Sequence, residues 1–265
     1  MAEYRTTNGP MAYREQGEGQ KEPVVLLHAF PLNSRMWEPQ AEVLARERRV
    51  VTPDYPGFGR SPQTPAQPDV RYYAEGVRDL LDRLGLERVV LGGLSMGGYV
   101  AFACLRLFPE RVSGLVLANT RPDQDSEEMR EGRKEMAHRV SREGVEVLIE
   151  TMMPRLLADE TRRNEPEIVE QVKAMILECS PDGVVAALGA MRDRPDSTPL
   201  LREIQIPTLV IGGKDDAVST PEVMRTMARE IPDANHVTLA GAGHLSNLEQ
   251  AGQFNDALEE FLSRL

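Results

Sequence analysis

Gly93-Leu94-Ser95-Met96-Gly97 places glycine two residues before and two residues after a serine. An apolar run, Val89-Val90-Leu91, precedes it, and a helical stretch, Tyr99 to Leu107, follows. A serine on a sharp strand-to-helix turn holds a strained backbone, and side chains at the flanking positions would collide there. Glycines relieve the collision and leave the hydroxyl standing above the sheet edge. The helix that begins at this point directs its free N–H groups at the same spot. Such a serine is placed to act as a nucleophile. The plainer alternative is a glycine-rich turn that only starts a helix.

A serine hydroxyl attacks a carbonyl only when a base takes its proton and a third group orients the base. Both partners occur later in the chain. Asp215 and Asp216 follow an apolar segment that ends at Gly212, and His244 lies in Gly241-Ala242-Gly243-His244. Serine, acid, histidine is the order expected for a turn of this kind. Three other histidines fit lesser roles. His138 sits in a polar stretch and reads as surface, His236 opens a strand, and His28 ends a strand close to the site and reads as a support. Acyl transfer also needs donors for the developing oxyanion. The Met96 N–H, immediately after the serine, is one. The Phe30 N–H, in His28-Ala29-Phe30-Pro31, is the other, since Pro31 has no N–H to give.

These residues must be carried by strand ends. Val24 to His28, Val50 to Pro53, Arg88 to Leu91, Val112 to Ala118, Pro207 to Gly212 and His236 to Leu239 read as strands. Helical patterns lie between them at Met36 to Glu47, Tyr72 to Leu84 and Pro221 to Ile231, with a terminal one at Glu249 to Leu265. Continuous Val/Ile/Leu runs alternating with helices predict an α/β fold with a parallel sheet between helical layers. The alternation stops over 121–202, which is charged and helical. Residues 1–120 and 203–265 then form the core, and 121–202 form an inserted helical cap. Met152, Met153, Met175 and Met191 can line a pocket beneath such a cap or serve as ordinary packing.

The bulk composition excludes several functions. With 42 acidic against 31 basic side chains the net charge is −11, which leaves no basic face for nucleic acid or anionic lipid. No apolar run approaches a membrane span, and Met1 to Gln20 has no apolar core of a signal peptide, so a cytoplasmic location is expected. Cys104 and Cys179 are then reduced thiols. No His/Cys/Asp cluster has metal-ligand spacing, and the serine chemistry needs no metal or organic cofactor. Oligomeric state is silent in the sequence.

Taken together these segments resemble the α/β-hydrolase superfamily over nearly the whole chain. His28-Ala29-Phe30-Pro31 is similar to its His-Gly-x-Pro oxyanion loop, with Trp37 at the usual distance. Asp54-Tyr55-Pro56-Gly57-Phe58-Gly59-Arg60-Ser61 is similar to its loop after the next strand. Gly93 to Gly98 resembles its serine turn, Gly213-Lys214-Asp215-Asp216 its Gly-x-x-Asp acid motif, and Gly243-His244 its histidine loop. The resemblance implies a mostly parallel, eight-stranded sheet with helices on both faces and an inserted cap. It implies a catalytic Ser95, Asp216 and His244, an oxyanion hole from Phe30 and Met96, and a pocket bordered by His28, Trp37, Met152, Met153 and Met191. Two departures stand out. Ala29 replaces a glycine. Counting the acid motif from Gly213 selects Asp216, and counting from Gly212 selects Asp215; Asp216 is preferred because its distance to Pro221 is nearer the family's. Phe30-Pro31-Leu32-Asn33 and Leu94-Ser95-Met96 carry a closer likeness to small serine esterases, 3-oxoadipate enol-lactonase-like proteins and cofactor-free haloperoxidases (perhydrolases). A small ester or lactone is the substrate implied. Perhydrolysis, carbon–carbon bond hydrolysis and a non-enzymatic ligand sensor are the alternatives.

Overall fold

A computed structural model describes residues 3–6, 9–61 and 67–265. Eight strands form one sheet in the order β1-β2-β4-β3-β5-β6-β7-β8. They are β1 (Glu3–Thr6), β2 (Gly9–Gln16), β3 (Lys21–Leu27), β4 (Arg48–Pro53), β5 (Val89–Leu94), β6 (Val112–Ala118), β7 (Thr208–Gly213) and β8 (Ala234–Leu239). β1 and β2 pair antiparallel, as do β2 and β4; every later pair is parallel. The six parallel strands therefore end on one edge, and the loops that follow them share that edge.

β5, β6 and β7 are buried along their whole length. Strands covered on both faces need no polar alternation, which is why they read as continuous apolar runs. The cover comes from α1 (Glu38–Leu44), α2 (Val70–Leu84), α3 (Met96–Leu107), α9 (Pro221–Glu230), α10 (Ser246–Glu249) and α11 (Ala251–Leu262). α2 packs on α3, and α1 packs on α11. α2 shows how local chemistry sets the bounds: the Asp69 side chain caps the Tyr72 N–H, and Gly85 closes the helix with φ 64.

Two elements depart from the sequence reading. The stretch before Gln20 reads as polar and unassigned, yet Gly9–Gln16 is a strand that buries Met11, Ala12 and Tyr13 and adds antiparallel to β4. The terminal helix is broken at Gln250 into α10 and α11, because Gln250 leaves the helical region at φ −131.

Between β6 and β7 lie α4 (Glu127–Glu143), α5 (Val147–Leu156), α6 (Asp159–Asn164), α7 (Pro166–Leu177) and α8 (Pro181–Arg192). α4 runs along α8 and buries only Val140, so this part of the insertion leans on charge. Asp125 and Arg194 form a buried pair to which Arg133 also binds, and the Arg194 guanidinium lies 4.1 Å from the centre of the Tyr99 ring on α3. At the other end the insertion touches the core loops directly. The Ser180 N–H donates to Gly57 O at 2.9 Å, and the Asn33 side chain donates to Glu178 at 2.9 Å.

Candidate active site

Ser95 links β5 to α3 with φ 56 and ψ −113, a backbone that few residues other than glycine adopt. Its neighbours hold it there. The Ser95 N–H donates to Ala118 O at 3.0 Å, and its carbonyl accepts from Thr120 Oγ1 at 2.8 Å. A Cβ on Gly93 would stand 2.2 Å from Gly97 O, and one on Gly97 would stand 2.2 Å from Leu27 O. The glycines thus let the ends of β3 and β5 and the start of α3 meet. Ser95 keeps 8% exposure at that junction.

His244 and Asp216 meet on the same edge. The His244 Nδ1–H donates to Asp216 Oδ2 at 2.9 Å, with the two residues 2% and 3% exposed. A carboxylate can only accept, so this bond fixes the neutral tautomer that leaves Nε2 with its lone pair. Asp216 Oδ1 accepts the N–H groups of Val218 (2.7 Å) and Ser219 (3.0 Å). Burial pushes the Asp216 carboxyl up, but the His244 ring, through its hydrogen bond and its charge when protonated, and the hydrogen bonds of Asn119 and Ser219 hold it below its ordinary value. Asp215 points away: it is exposed, and its N–H is spent on Ala242 O at 2.8 Å.

Asn119 joins the two halves of this arrangement. It follows β6 with φ 42 and is fully buried. Its side-chain amide donates to Asp216 Oδ2 at 2.9 Å and to Gly243 O at 3.1 Å, and its oxygen accepts from Ser246 Oγ. Ala118 and Thr120, on either side, are the residues that grip Ser95. One three-residue segment therefore ties the serine turn to the acid and to the histidine loop.

The α/β hydrolase fold family matches residues 22–251. The chain belongs to that family. Among solved structures it is similar to a thermophilic esterase of Thermogutta terrifontis, solved with malate bound, at 44% identity and TM-score 0.95, with 99% of this chain and 98% of that chain covered. It is similar to a bromoperoxidase of Bacillus anthracis at 27% identity and TM-score 0.87, with 99% of each chain covered. The 3-oxoadipate enol-lactonase 2 of Acinetobacter baylyi is 28% identical over 95% of this chain and 92% of its own.

The loop after β3 carries the residues expected to border this edge on its other side. Phe30 and Met96 are buried, and neither backbone N–H finds an acceptor among the described residues. Buried donors are seldom left so. His28 is fully buried with both ring nitrogens engaged. Ala29 O, 2.9 Å away, can only accept, so Nδ1 carries the proton, and Nε2 accepts the Tyr55 N–H at 3.0 Å. Burial pushes the His28 imidazole down, with Asp54 and Ala29 opposing, so the ring is a neutral strut between the loops after β3 and β4. Asp54 completes that brace by accepting the Ser34 N–H at 2.7 Å and the Arg60 N–H at 2.9 Å. Trp37 is fully buried with its ring centre 6.0 Å from that of Phe254 on α11.

Met153 and Met191 are buried on α5 and α8, and Met152 is partly buried beside the same apolar cluster. The Met191 sulfur accepts from Arg133 at 3.5 Å. Sequence reasoning missed Asn119, Ser246 and Glu249. Asn119 had one local signal, an asparagine at a strand end, since asparagine tolerates positive φ. The other two had none. Among the described residues, no three His, Cys, Asp or Glu side chains are grouped to hold a metal ion, and no single helix is long and apolar enough to cross a membrane.

Proposed function

We propose that this α/β hydrolase cleaves small carboxylic esters or lactones through an acyl-enzyme on Ser95. The observation that carries the reading is the buried His244–Asp216 hydrogen bond on the sheet edge where Ser95 stands in its strained turn. His244 Nε2 takes the proton as Ser95 Oγ attacks the carbonyl carbon. The Phe30 and Met96 N–H groups receive the negative charge on the carbonyl oxygen. His244 returns the proton to the leaving alcohol, or to the alkoxide of an opened lactone. Water then attacks the acyl-enzyme, giving its proton to His244, and the acid leaves as Ser95 recovers its hydrogen. Asp216 orients the imidazole and stabilises its charged form. Residues 121–202 act as a cap over this edge. The similarity to an esterase and an enol-lactonase supports the substrate class.

A second reading follows from the bromoperoxidase likeness. Hydrogen peroxide in place of water would attack the same acyl-enzyme and release a peracid. Both readings are tested with p-nitrophenyl acetate, with and without peroxide, on wild type and Ser95→Ala. The serine reading expects turnover only in wild type, together with a covalent phosphonate adduct on Ser95 detected by mass spectrometry. Equal peracid formation in the two proteins removes perhydrolysis.

A further inference from the structure

Glu249 closes α10, five residues beyond His244, and is 8% exposed. Its carboxylate reaches in two directions. Oε1 accepts the Gly243 N–H at 2.9 Å, in the histidine loop. Oε2 accepts the Ala158 N–H at 2.8 Å and the Thr161 hydroxyl at 2.7 Å, both in the insertion at the start of α6. Beside it the Leu245 N–H donates to Leu156 O at 3.0 Å, at the end of α5. The peptide units flanking His244 are therefore bonded to the insertion on one side. Asn119 holds Gly243 O on the other.

The fit is close. A Cβ on Gly243 would stand 2.6 Å from the Ala158 nitrogen and 3.2 Å from Glu249 Oε1. The groups that face the carboxylate are hydrogen-bond donors, and among the described residues no cation offsets its charge. A buried carboxylate is costly to keep, and an amide offers one acceptor oxygen where donors approach from both sides. What the carboxylate supplies is two oxygens that accept at once from both segments and fix their relative position.

We propose that Glu249 is a positioning residue that couples the α5–α6 joint of the insertion to the location of His244. The inference rests on His244 being the catalytic base. A shift of α6 is transmitted through the carboxylate to the Gly243–Leu245 backbone, and so to the imidazole. The insertion then acts on the rate of proton transfer as well as on substrate contact.

The test separates the two ends of the bridge. Thr161→Val removes the side-chain donor on the insertion side and leaves the Ala158 N–H, Thr161→Ser restores it, and Glu249→Gln replaces one acceptor oxygen with a donor. Each is measured for kcat and KM on p-nitrophenyl acetate and for the downfield proton NMR signal of the His244 Nδ1–H. Thr161→Val should lower kcat about threefold to tenfold with KM nearly unchanged, and should shift or broaden the signal. Thr161→Ser should match wild type in both. Glu249→Gln should lower kcat on the order of tenfold to a hundredfold. If Thr161→Val keeps the wild-type kcat and NMR signal, the coupling is overturned, whether or not Glu249→Gln folds. Ser95→Ala keeps the two readings apart. Retained turnover in that variant defeats the serine mechanism, while loss of turnover there with a silent Thr161→Val defeats the coupling alone.

Discussion

The serine turn and the histidine loop lie on one sheet edge and are held by different balances of close contact and hydrogen bonding. At the turn, position comes from shape. Gly93 and Gly97 let three backbones touch, and α3 follows without a break. At the histidine loop, position comes from a buried polar network of Asn119, Asp216, Ser246 and Glu249, each with its partners satisfied inside the protein. A backbone fixed by close contact is intolerant of added atoms but indifferent to charge. A loop fixed by hydrogen bonds between buried ionisable groups is sensitive to protonation as well.

The largest expected effect sharpens the comparison at its chemical centre. Ser95→Ala removes one oxygen from a residue with little packing to lose. Ester turnover should fall on the order of 10⁴-fold or more while the melting temperature holds. A variant that keeps a tenth of wild-type turnover shows that another group is the nucleophile. Asp216→Asn comes next, with a loss on the order of 10³- to 10⁴-fold, because an amide can present a donor to His244 Nδ1 and stabilise the wrong tautomer. Asp215→Asn should stay within about twofold, since its side chain is exposed and off the network. Steady-state kinetics on the two variants decide between the two ways of counting the acid motif.

Gly97→Ala breaks the turn by shape alone. Its new Cβ would lie 2.2 Å from a carbonyl of β3, a backbone atom that cannot rotate away. The turn or β3 must move, at a cost of about 1–3 kcal/mol in stability. A displacement of even a fraction of an ångström at Ser95 should lower kcat on the order of a hundredfold. Wild-type kcat and melting temperature in this variant would mean that the turn is not held by contact. Asn119→Ala breaks the other region. It leaves Asp216 and Gly243 each one donor short, and about tenfold lower kcat with a loss of about 1–3 kcal/mol is expected.

The same contrast explains what was legible in the sequence. The apolar strands and the glycines around Ser95 are encoded within a few residues, so a local reading finds them. Ser95, His244 and the break in rhythm at 121 are visible for that reason. The network is not local. Asn119 meets Asp216 across 97 positions, and Glu249 meets Thr161 across 88. No spacing rule announces such pairs. His28 was visible as a residue near the site, but its engagement at both ring nitrogens depends on where Tyr55 arrives from the next strand. β2 was hidden for a different reason. It lies outside the parallel strands, mixes Met11 and Tyr13 with Arg14, Glu15 and Gln16, and lacks the continuous apolar run that marks its neighbours. The break at Gln250 interrupts a pattern that otherwise reads as one helix.

Protonation offers the mildest way to tell the two regions apart. Asp216 and Glu249 are buried carboxyls of one network that shift in opposite directions. Burial pushes both up. Around Asp216 the hydrogen bond of His244 and its charge when protonated, with the hydrogen bonds of Asn119 and Ser219, outweigh burial, and the net shift is down. Around Glu249, hydrogen bonds from Thr161, Ala158 and Gly243 do not outweigh burial, and the net shift is up. A carboxyl held below its unfolded value stabilises the fold above that value, and this contribution is lost as pH falls through the folded value. A carboxyl held above its unfolded value does the reverse. Its ionisation opposes folding increasingly as pH rises from the unfolded value through the folded one. Melting temperature against pH should therefore separate the variants from wild type with opposite slopes. Asp216→Asn should flatten the loss of stability on the acid side, and Glu249→Gln should flatten a decline that begins just above it, each on the order of a few degrees. Ser95→Ala and Gly97→Ala, which alter no titrating group, should run parallel to wild type. Parallel curves for all four variants would show that the histidine loop, like the serine turn, is held by packing and not by charge.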